Sequence, residues 1–351
     1  MDITVIEQVS GTTDVLVNSI PVLLGNESRG VQLRTETIDG ELVATVRVRA
    51  DGSRLTITEG QLGALLNSRD ELVSGLLDDV DTFAGQLIFQ VNKVHSQGQG
   101  SKGFDTVTGT YGVTDADAAL NATDAGLPFT IKNGSLQLNI TNEATGARTT
   151  TRIDIDLDGV GSDMTLNDLA TAITAVDNAT ATVNADGTLT LTATDGYRLS
   201  FSDDTADALA ALGLNSYFDG FDASNITVND TVQTDTDYLA VGADHVPGSN
   251  DTALAIAELE TQSITELGSR SLREFWSDSV EEIAVQLDAT NVKAATTSAV
   301  REGLQAQEAA VSGVSLDEES INLMNFQRQY EAAARFISVV NDLMDQLLAI
   351  V

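Results

Sequence analysis

The run Asp154-Ile155-Asp156-Leu157-Asp158-Gly159 is the clearest chemical motif in the sequence. Alternating carboxylates followed by a glycine are typical of the first half of an EF-hand calcium loop. The second half of the loop does not follow, because Gly161 replaces an apolar residue and Thr165 stands where a bidentate glutamate is needed. The alternation favours a strand with its acidic side chains in solvent. A divalent cation remains an alternative, with Asp154, Asp156 and Asp158 as its candidate ligands.

The sequence lacks the residues that other kinds of catalytic site require. The chain has no cysteine, which excludes disulfides, thiolate catalysis and cysteine-ligated metals. Its two histidines, His95 and His245, are far apart in sequence, which argues against a histidine metal site or a catalytic triad. Aromatic residues make up 5% of the chain, too few for the sugar platform that a pair of glycosidase carboxylates needs. We therefore expect no enzymatic activity and no cofactor.

The charge excludes two classes of partner. There are 53 acidic and 18 basic residues, for a net charge of -35. A chain this acidic lacks the basic surface that binds nucleic acid and the polybasic patch that binds anionic membranes. No apolar run approaches the ~20 residues that span a bilayer. The opening Met1–Val5 has neither the cationic nor the apolar region of a cleavable signal peptide. We expect neither nucleic acid nor membrane as a partner.

Hydrophobic periodicity and charge together predict the elements that position these residues. Residues 103–250 carry 22 acidic and only 4 basic groups and alternate as strands do, whereas both flanks show helical spacing. The fold class is therefore expected to be α+β, with helical bundle flanks, an inserted acidic β-rich domain and a C-terminal coiled-coil-type helix. The expected segments are a small β region at 1–58, a helical segment at 59–102 that packs with 251–311, the insert at 103–250 with a β-α-β-β module at 149–220, and a terminal helix at 312–351.

The last helix carries a heptad pattern. Apolar residues recur seven apart, with a second series three residues later, over four heptads. Such a pattern is typical of a coiled coil, and each large residue left in water would cost about 1.5–3 kcal/mol. The helix therefore needs a helical partner. The expected assembly seam consists of Leu323, Phe326, Tyr330, Ile337, Val340, Met344 and Leu347.

Several segments resemble a known family. The C-terminal stretches resemble the signature of bacterial flagellar axial proteins, and the upstream stretches are similar to the hook-associated members of that family. The C-terminal stretches are Ser312–Glu319, Asn322–Leu323 and Phe326–Arg335. The upstream stretches are Gly60–Leu66, Arg69–Asp70, Val91–Gly98 and Ala210–Gly220.

The resemblance implies a structural subunit of the flagellum at the hook–filament junction. It implies contacts with other copies of the chain in a ring, with the hook protein and with the filament-side junction protein. It also implies an export chaperone at the C-terminal helix and an extracellular location, reached by type III export without a cleaved signal peptide. A flagellin or filament-type axial protein is the alternative within the family. An acidic, calcium-dependent extracellular binding module is the alternative outside it.

The beginning of the chain departs from the family pattern. Members of the family open with long N-terminal helices, whose first part pairs with the C-terminal helix. This sequence opens instead in β-like residues. The expectation is an N-terminally truncated chain whose terminal helix lacks its usual partner.

Overall fold

The computed structural model describes residues 3–38, 41–58, 60–243, 245–246, 248–312 and 316–348. The chain divides into two compact units, Met1–Glu281 and Glu282–Val351. Of the expected terminal helix at 312–351, residues 313–315 and 349–351 lie outside the described residues. The mixture of helices and small antiparallel sheets confirms the predicted α+β class.

The first 58 residues form two small antiparallel sheets. One has four strands in the order β1-β2-β3-β4, and the other is the hairpin β5–β6. Their shared core contains the buried Val17, Val46, Val48 and Leu55. The strands are β1 (Ile3–Glu7), β2 (Thr13–Val17), β3 (Ile20–Leu24), β4 (Glu27–Ser28), β5 (Val31–Ile38) and β6 (Glu41–Val48).

A helix interrupted by a π-helical segment follows. Helix α1 (Gly60–Asn67) continues through the π segment Ser68–Val73 into α2 (Ser74–Gln97). A π segment changes the rotational register of the residues on either side of it. Leu66, in α1 before the π segment, packs on the β core, and Arg69 Nη1 donates to the Ala44 carbonyl at 3.0 Å. The start of this helix is thereby attached to the β region.

Residues 103–250 form two three-stranded antiparallel sheets around one hydrophobic core. Their strand orders are β10-β11-β7 and β12-β8-β9. The strands of the expected 149–220 module are therefore divided between both sheets. The elements are β7 (Thr106–Thr108), β8 (Gly134–Asn142), β9 (Arg148–Ile155), α3 (Leu166–Thr174), β10 (Ala179–Val183), β11 (Leu189–Ala193), β12 (Tyr197–Ser202), α4 (Ala208–Leu212), β13 (Phe218–Asp219), β14 (Thr227–Val228) and α5 (Asp230–Thr234).

Helix α3 shows how sequence produces this core. The Thr165 hydroxyl accepts the Asp168 N–H at 3.1 Å, and the Asp168 carboxylate accepts the Thr165 N–H at 3.1 Å. This reciprocal capping box satisfies two helix-start donors. Leu166, Leu169 and Ile173 recur at helical spacing and are buried. The helix therefore closes one side of the core.

Two fully buried polar side chains fasten α2 to this segment. Asn92 Oδ1 accepts the N–H groups of Tyr217 and Phe218 at 3.0 and 2.9 Å, and Asn92 Nδ2 donates to the Phe218 carbonyl at 2.9 Å. One turn later, His95 Nδ1 lies 2.8 Å from the Asn215 carbonyl, and His95 Nε2 accepts the Ala240 N–H at 3.0 Å. Both residues are 0% exposed. Every polar side-chain atom of both residues therefore hydrogen-bonds to a backbone group that is more than 100 residues away in sequence.

A second face of α2 is apolar and packs on the helices that follow the sheets. Val91 shares a buried cluster with Leu259, Leu272 and Phe275. Phe83 contacts Trp276, with ring centroids 5.6 Å apart. Helix α6 (Asp251–Glu258) precedes this cluster, and helix α7 (Leu272–Ser312) begins in it. The division of the chain at 58, 102, 250 and 311 stays a prediction.

The second unit is helical. It contains the continuation of α7 beyond Glu281, and helix α8 (Leu316–Leu348). In this unit the described side chains are exposed except at Ile283 and Ser298, which are half-buried.

The geometry of His95 predicts a specific pH dependence. Nδ1 donates and Nε2 accepts, so the ring is neutral, and protonation would turn Nε2 into a donor that faces the Ala240 N–H. Burial lowers the pKa of His95 below its ordinary value of 6.5, against the opposing effect of the bond to Asn215. The unfolded chain therefore binds more protons than the folded chain below about pH 6.5. The contribution of His95 to stability is complete above that pH and is lost as the pH falls.

We expect the stability advantage of the wild type over His95→Gln to shrink between pH 7 and pH 5. The change approaches ~1.4 kcal/mol per pH unit at most, the value for one proton. Urea denaturation at a series of pH values measures it. Burial raises the pKa of Asp204 to about 6, with the opposite effect on stability, but Asp204 is present in both proteins and its effect cancels. His245→Gln is the matched control and should keep the wild-type slope. Equal slopes for wild type and His95→Gln would contradict the neutral, bonded imidazole.

Candidate assembly surface

Helix α8 presents the predicted seam to solvent. All seven seam residues are exposed, from 39% at Val340 to 78% at Tyr330. The spacing of seven and three places them along one side of the helix. The role of this side in assembly stays a proposal, but its geometry is that of a helix face without a partner among the described residues of its own unit. Its members are Leu323, Phe326, Tyr330, Ile337, Val340, Met344 and Leu347.

The rim of the seam carries no charge. With Leu323 at heptad position a, the e and g positions from 322 to 348 are asparagine, glutamine, alanine, phenylalanine and leucine. In coiled coils, charged e and g residues select the partner through ion pairs. A coiled-coil partner of this face would therefore have to be recognised by apolar shape and side-chain amides. The charged residues of this stretch, Arg328, Glu331, Arg335, Asp342 and Asp345, all occupy the outer b and f positions.

The C-terminal half of α8 has a wider apolar face than the seam alone. Phe336 and Leu343 occupy g positions and are 70% and 55% exposed. Val339, at a c position, is 54% exposed. A strict a/d reading of the heptads omits these three residues, although an apolar count at the g positions would have found the first two. This half of the helix has enough apolar surface for more than one neighbouring helix.

The candidate cation ligands are only partly brought together. Asp156, Asp158 and Asp163 have carboxylate oxygens within 4.8 Å of one another. Asp163 was not among the predicted ligands. Asp154 is instead paired with Arg152 at 2.6 Å. Asp158 accepts the Val160 N–H and Asp163 accepts the Gly159 N–H, so these carboxylates stabilise the turn. We assign no cation to this exposed cluster.

Two further expectations concern histidines and membranes. His95 is a buried structural residue of α2, and His245 Nε2 lies 3.4 Å from the Ser200 hydroxyl. Neither imidazole belongs to the carboxylate cluster described above.

In the part of the chain that the structure describes, no helix has both the length and the apolar character to cross a membrane.

Comparisons with known proteins match both ends of the chain. The family model of the flagellar hook-associated protein FlgK helical domain matches residues 1–110. The family model of the flagellar basal body rod FlgEFG protein C-terminal region matches residues 307–350, which include α8. Flagellar hook-associated protein 1 of Escherichia coli (strain K12) is 30% identical over 161 residues, 45% of this chain. In these segments the chain is similar to flagellar hook-associated protein 1.

One further relative and one solved structure are similar to parts of the chain. Flagellar hook-associated protein 1 of Bacillus subtilis (strain 168) is 29% identical over 100 residues, 28% of this chain. The solved structure of the flagellar hook junction protein FlgK from Burkholderia pseudomallei has 17% identity and a TM-score of 0.40, covering 89% of this chain and 75% of that chain. The matched regions span 28% of the Escherichia coli relative and 20% of the Bacillus subtilis relative.

Exposure of the described side chains of α8, residues 317–347, predicts fast hydrogen exchange in the monomer. Most of the stability of a helix in a protein comes from tertiary packing, and the described part of its own unit does not cover these side chains. At low protein concentration, we expect the amides of Leu316–Leu348 to exchange far faster than those of the buried turns of α2 around Ile88 and His95. Hydrogen-exchange mass spectrometry of the full chain compares the two helices in one sample. Protection of α8 equal to that of α2 would show that its seam is already covered.

Proposed function

We propose that the chain is a structural subunit of the bacterial flagellum at the hook–filament junction, and that it assembles through coiled-coil contacts of α8. The observation that carries this proposal is a coincidence of two independent features. Residues 307–350 match the family model of the flagellar basal body rod FlgEFG protein C-terminal region, and they include α8, whose seam is exposed. The names of the relatives place those proteins at the hook.

The proposed partners follow from the surface of α8. Its uncharged rim favours contact with other apolar helix faces, including those of further copies of the chain in a ring. The hook protein and the filament-side junction protein are the proposed neighbours on either side of that ring. Residues 103–250, with a net charge of -18, would repel one another if they were packed together. We therefore place this segment on the outside of the assembly.

The route to that position is part of the proposal. An export chaperone binds α8 before assembly, because an apolar stripe of this length needs cover while the subunit is free. The subunit reaches an extracellular location through the flagellar export apparatus. It acts as a structural protein, without catalysis and without a cofactor.

Purified hook–basal bodies with bare distal ends test the proposal. Gold-labelled chain is added and its position is read by electron microscopy. We expect label at the distal ends of hooks for the wild type. Ile337→Asp should reduce end labelling at least tenfold, because it places an unpaired charge in a buried seam. Ser338→Asp is the matched control, since it adds the same charge at an outer position of the same turn.

Three results would contradict the proposal. They are the absence of label at hook ends for the wild type, equal labelling by Ile337→Asp, and equal loss of labelling by Ser338→Asp and Ile337→Asp. Circular dichroism of each variant establishes that the fold is retained. We expect the Ile337→Asp variant to retain the fold, because Ile337 is 59% exposed in the free chain.

A further inference from the structure

Residues 103–250 carry a negative charge that their own basic residues do not balance. The segment contains 22 acidic and 4 basic residues, for a net charge of -18. Three of the four basic residues are in ion pairs with acidic groups. Most of the 22 acidic residues therefore have no basic residue of the segment to pair with. The three ion pairs are Lys132–Asp207, Arg152–Asp154 and Arg198–Glu143, with N–O distances of 3.0, 2.6 and 2.6 Å.

The turns of the segment hold several of these carboxylates in place. Of the 22 acidic residues, 21 are aspartates, whose short side chains keep the charge close to the backbone. Asp158 accepts the Val160 N–H at 2.7 Å, and this bond to the backbone two residues on is a common turn-forming use of aspartate. Asp186 accepts the Thr188 N–H at 3.1 Å in the same way. Movement of these side chains therefore cannot relieve the repulsion between their charges without loss of the turns.

Protonation does not relieve the repulsion at neutral pH either. Hydrogen bonds from Thr188 lower the pKa of Asp186 below its ordinary value of 3.8. Hydrogen bonds from Thr165 lower the pKa of Asp168 in the same direction. A carboxylate that accepts hydrogen bonds is stabilised in its charged form. These two groups therefore stay ionised in the folded chain.

We propose that the surface of residues 103–250 holds a diffuse layer of dissolved cations, and that the stability of this segment increases with ionic strength. Charge of one sign destabilises a compact state through self-repulsion. A chain of this length has a radius of gyration of about 15 Å when folded and about 40 Å when unfolded, so unfolding separates the charges. Charges interact over about 30 Å at 10 mM salt but over less than about 10 Å above 0.1 M. Salt therefore stabilises the folded segment more than the unfolded one.

Hydrogen exchange of the full chain at two salt concentrations tests the proposal. The amides of β8 and β11, the central strands of the two sheets, report the opening of the segment. We expect their exchange rates, relative to those of an unstructured peptide, to fall at least tenfold between 10 and 500 mM NaCl. KCl should have the same effect as NaCl, because screening depends on ionic strength and not on the identity of the monovalent cation.

Two triple variants separate charge repulsion from other effects of salt. Asp124, Asp156 and Asp177 are exposed, and none of them forms a hydrogen bond or ion pair with its side chain among the described residues. Asp124→Asn, Asp156→Asn and Asp177→Asn together change the net charge of the segment from -18 to -15. Repulsion scales with the square of the charge, so the logarithm of the salt effect should fall by about a third. The same three positions changed to glutamate keep the charge and should keep the wild-type salt effect.

Three results would overturn the proposal. The first is exchange of β8 and β11 in the wild type that does not change between 10 and 500 mM NaCl, a measurement that does not depend on any variant. The second is an asparagine variant with the full wild-type salt effect. The third is a glutamate variant whose salt effect falls as much as that of the asparagine variant, since its charge is unchanged.

Discussion

The burial of Asn92 and His95 on α2 is the constraint on which the first unit depends. A polar side chain taken out of water must find a partner for each of its donors and acceptors. Asn92 and His95 find theirs on the backbone of residues 215–218 and at Ala240. These bonds require residues 215–240 to return to α2 at a defined position. The apolar face of the same helix is then directed at Leu272 and Phe275.

The same region contains two buried carboxylates that need equally specific partners. Asp207 lies 3.1 Å from Lys93 Nζ and 3.0 Å from Lys132 Nζ. Asp204 accepts the N–H groups of Ala206 and Leu209, and its own N–H donates to the Gln97 side chain. Helix α2 therefore contributes apolar contacts, amide hydrogen bonds and an ion pair to one junction. The polarity of this buried helix is what makes the packing of the insert specific.

Helix α8 has the opposite distribution of polarity. Its apolar residues are in solvent, and its charged residues between 322 and 347 lie on the side away from the seam. Burial in the folded chain explains the composition of α2. Under the proposed function, contact with another helix would explain the composition of α8, and the two helices would then serve folding and assembly separately.

Local patterns in the sequence were sufficient for α8 and for the α+β class, because heptads and strand alternation depend only on near neighbours. They were not sufficient for Asn92, whose partners are about 125 residues away and whose burial no local pattern indicates. The order of strands in the sheets could not be predicted for the same reason, since β9 and β10 are consecutive strands in sequence but belong to different sheets. Asp163 was missed because its position depends on the turn after Gly159.

We expect α2 to couple residues 103–250 and the helical core into one cooperative structure, because it contacts both. Two fluorescent probes test this coupling directly. Trp276 is the single tryptophan and reports the helical core through its contact with Phe83. Because the chain has no cysteine, Thr182→Cys on the exposed side of β10 gives one site for an environment-sensitive dye. In urea, both probes should show one common midpoint, and Asn92→Ala should lower both midpoints together. Separate midpoints, with the dye signal unaffected by Asn92→Ala, would contradict the account.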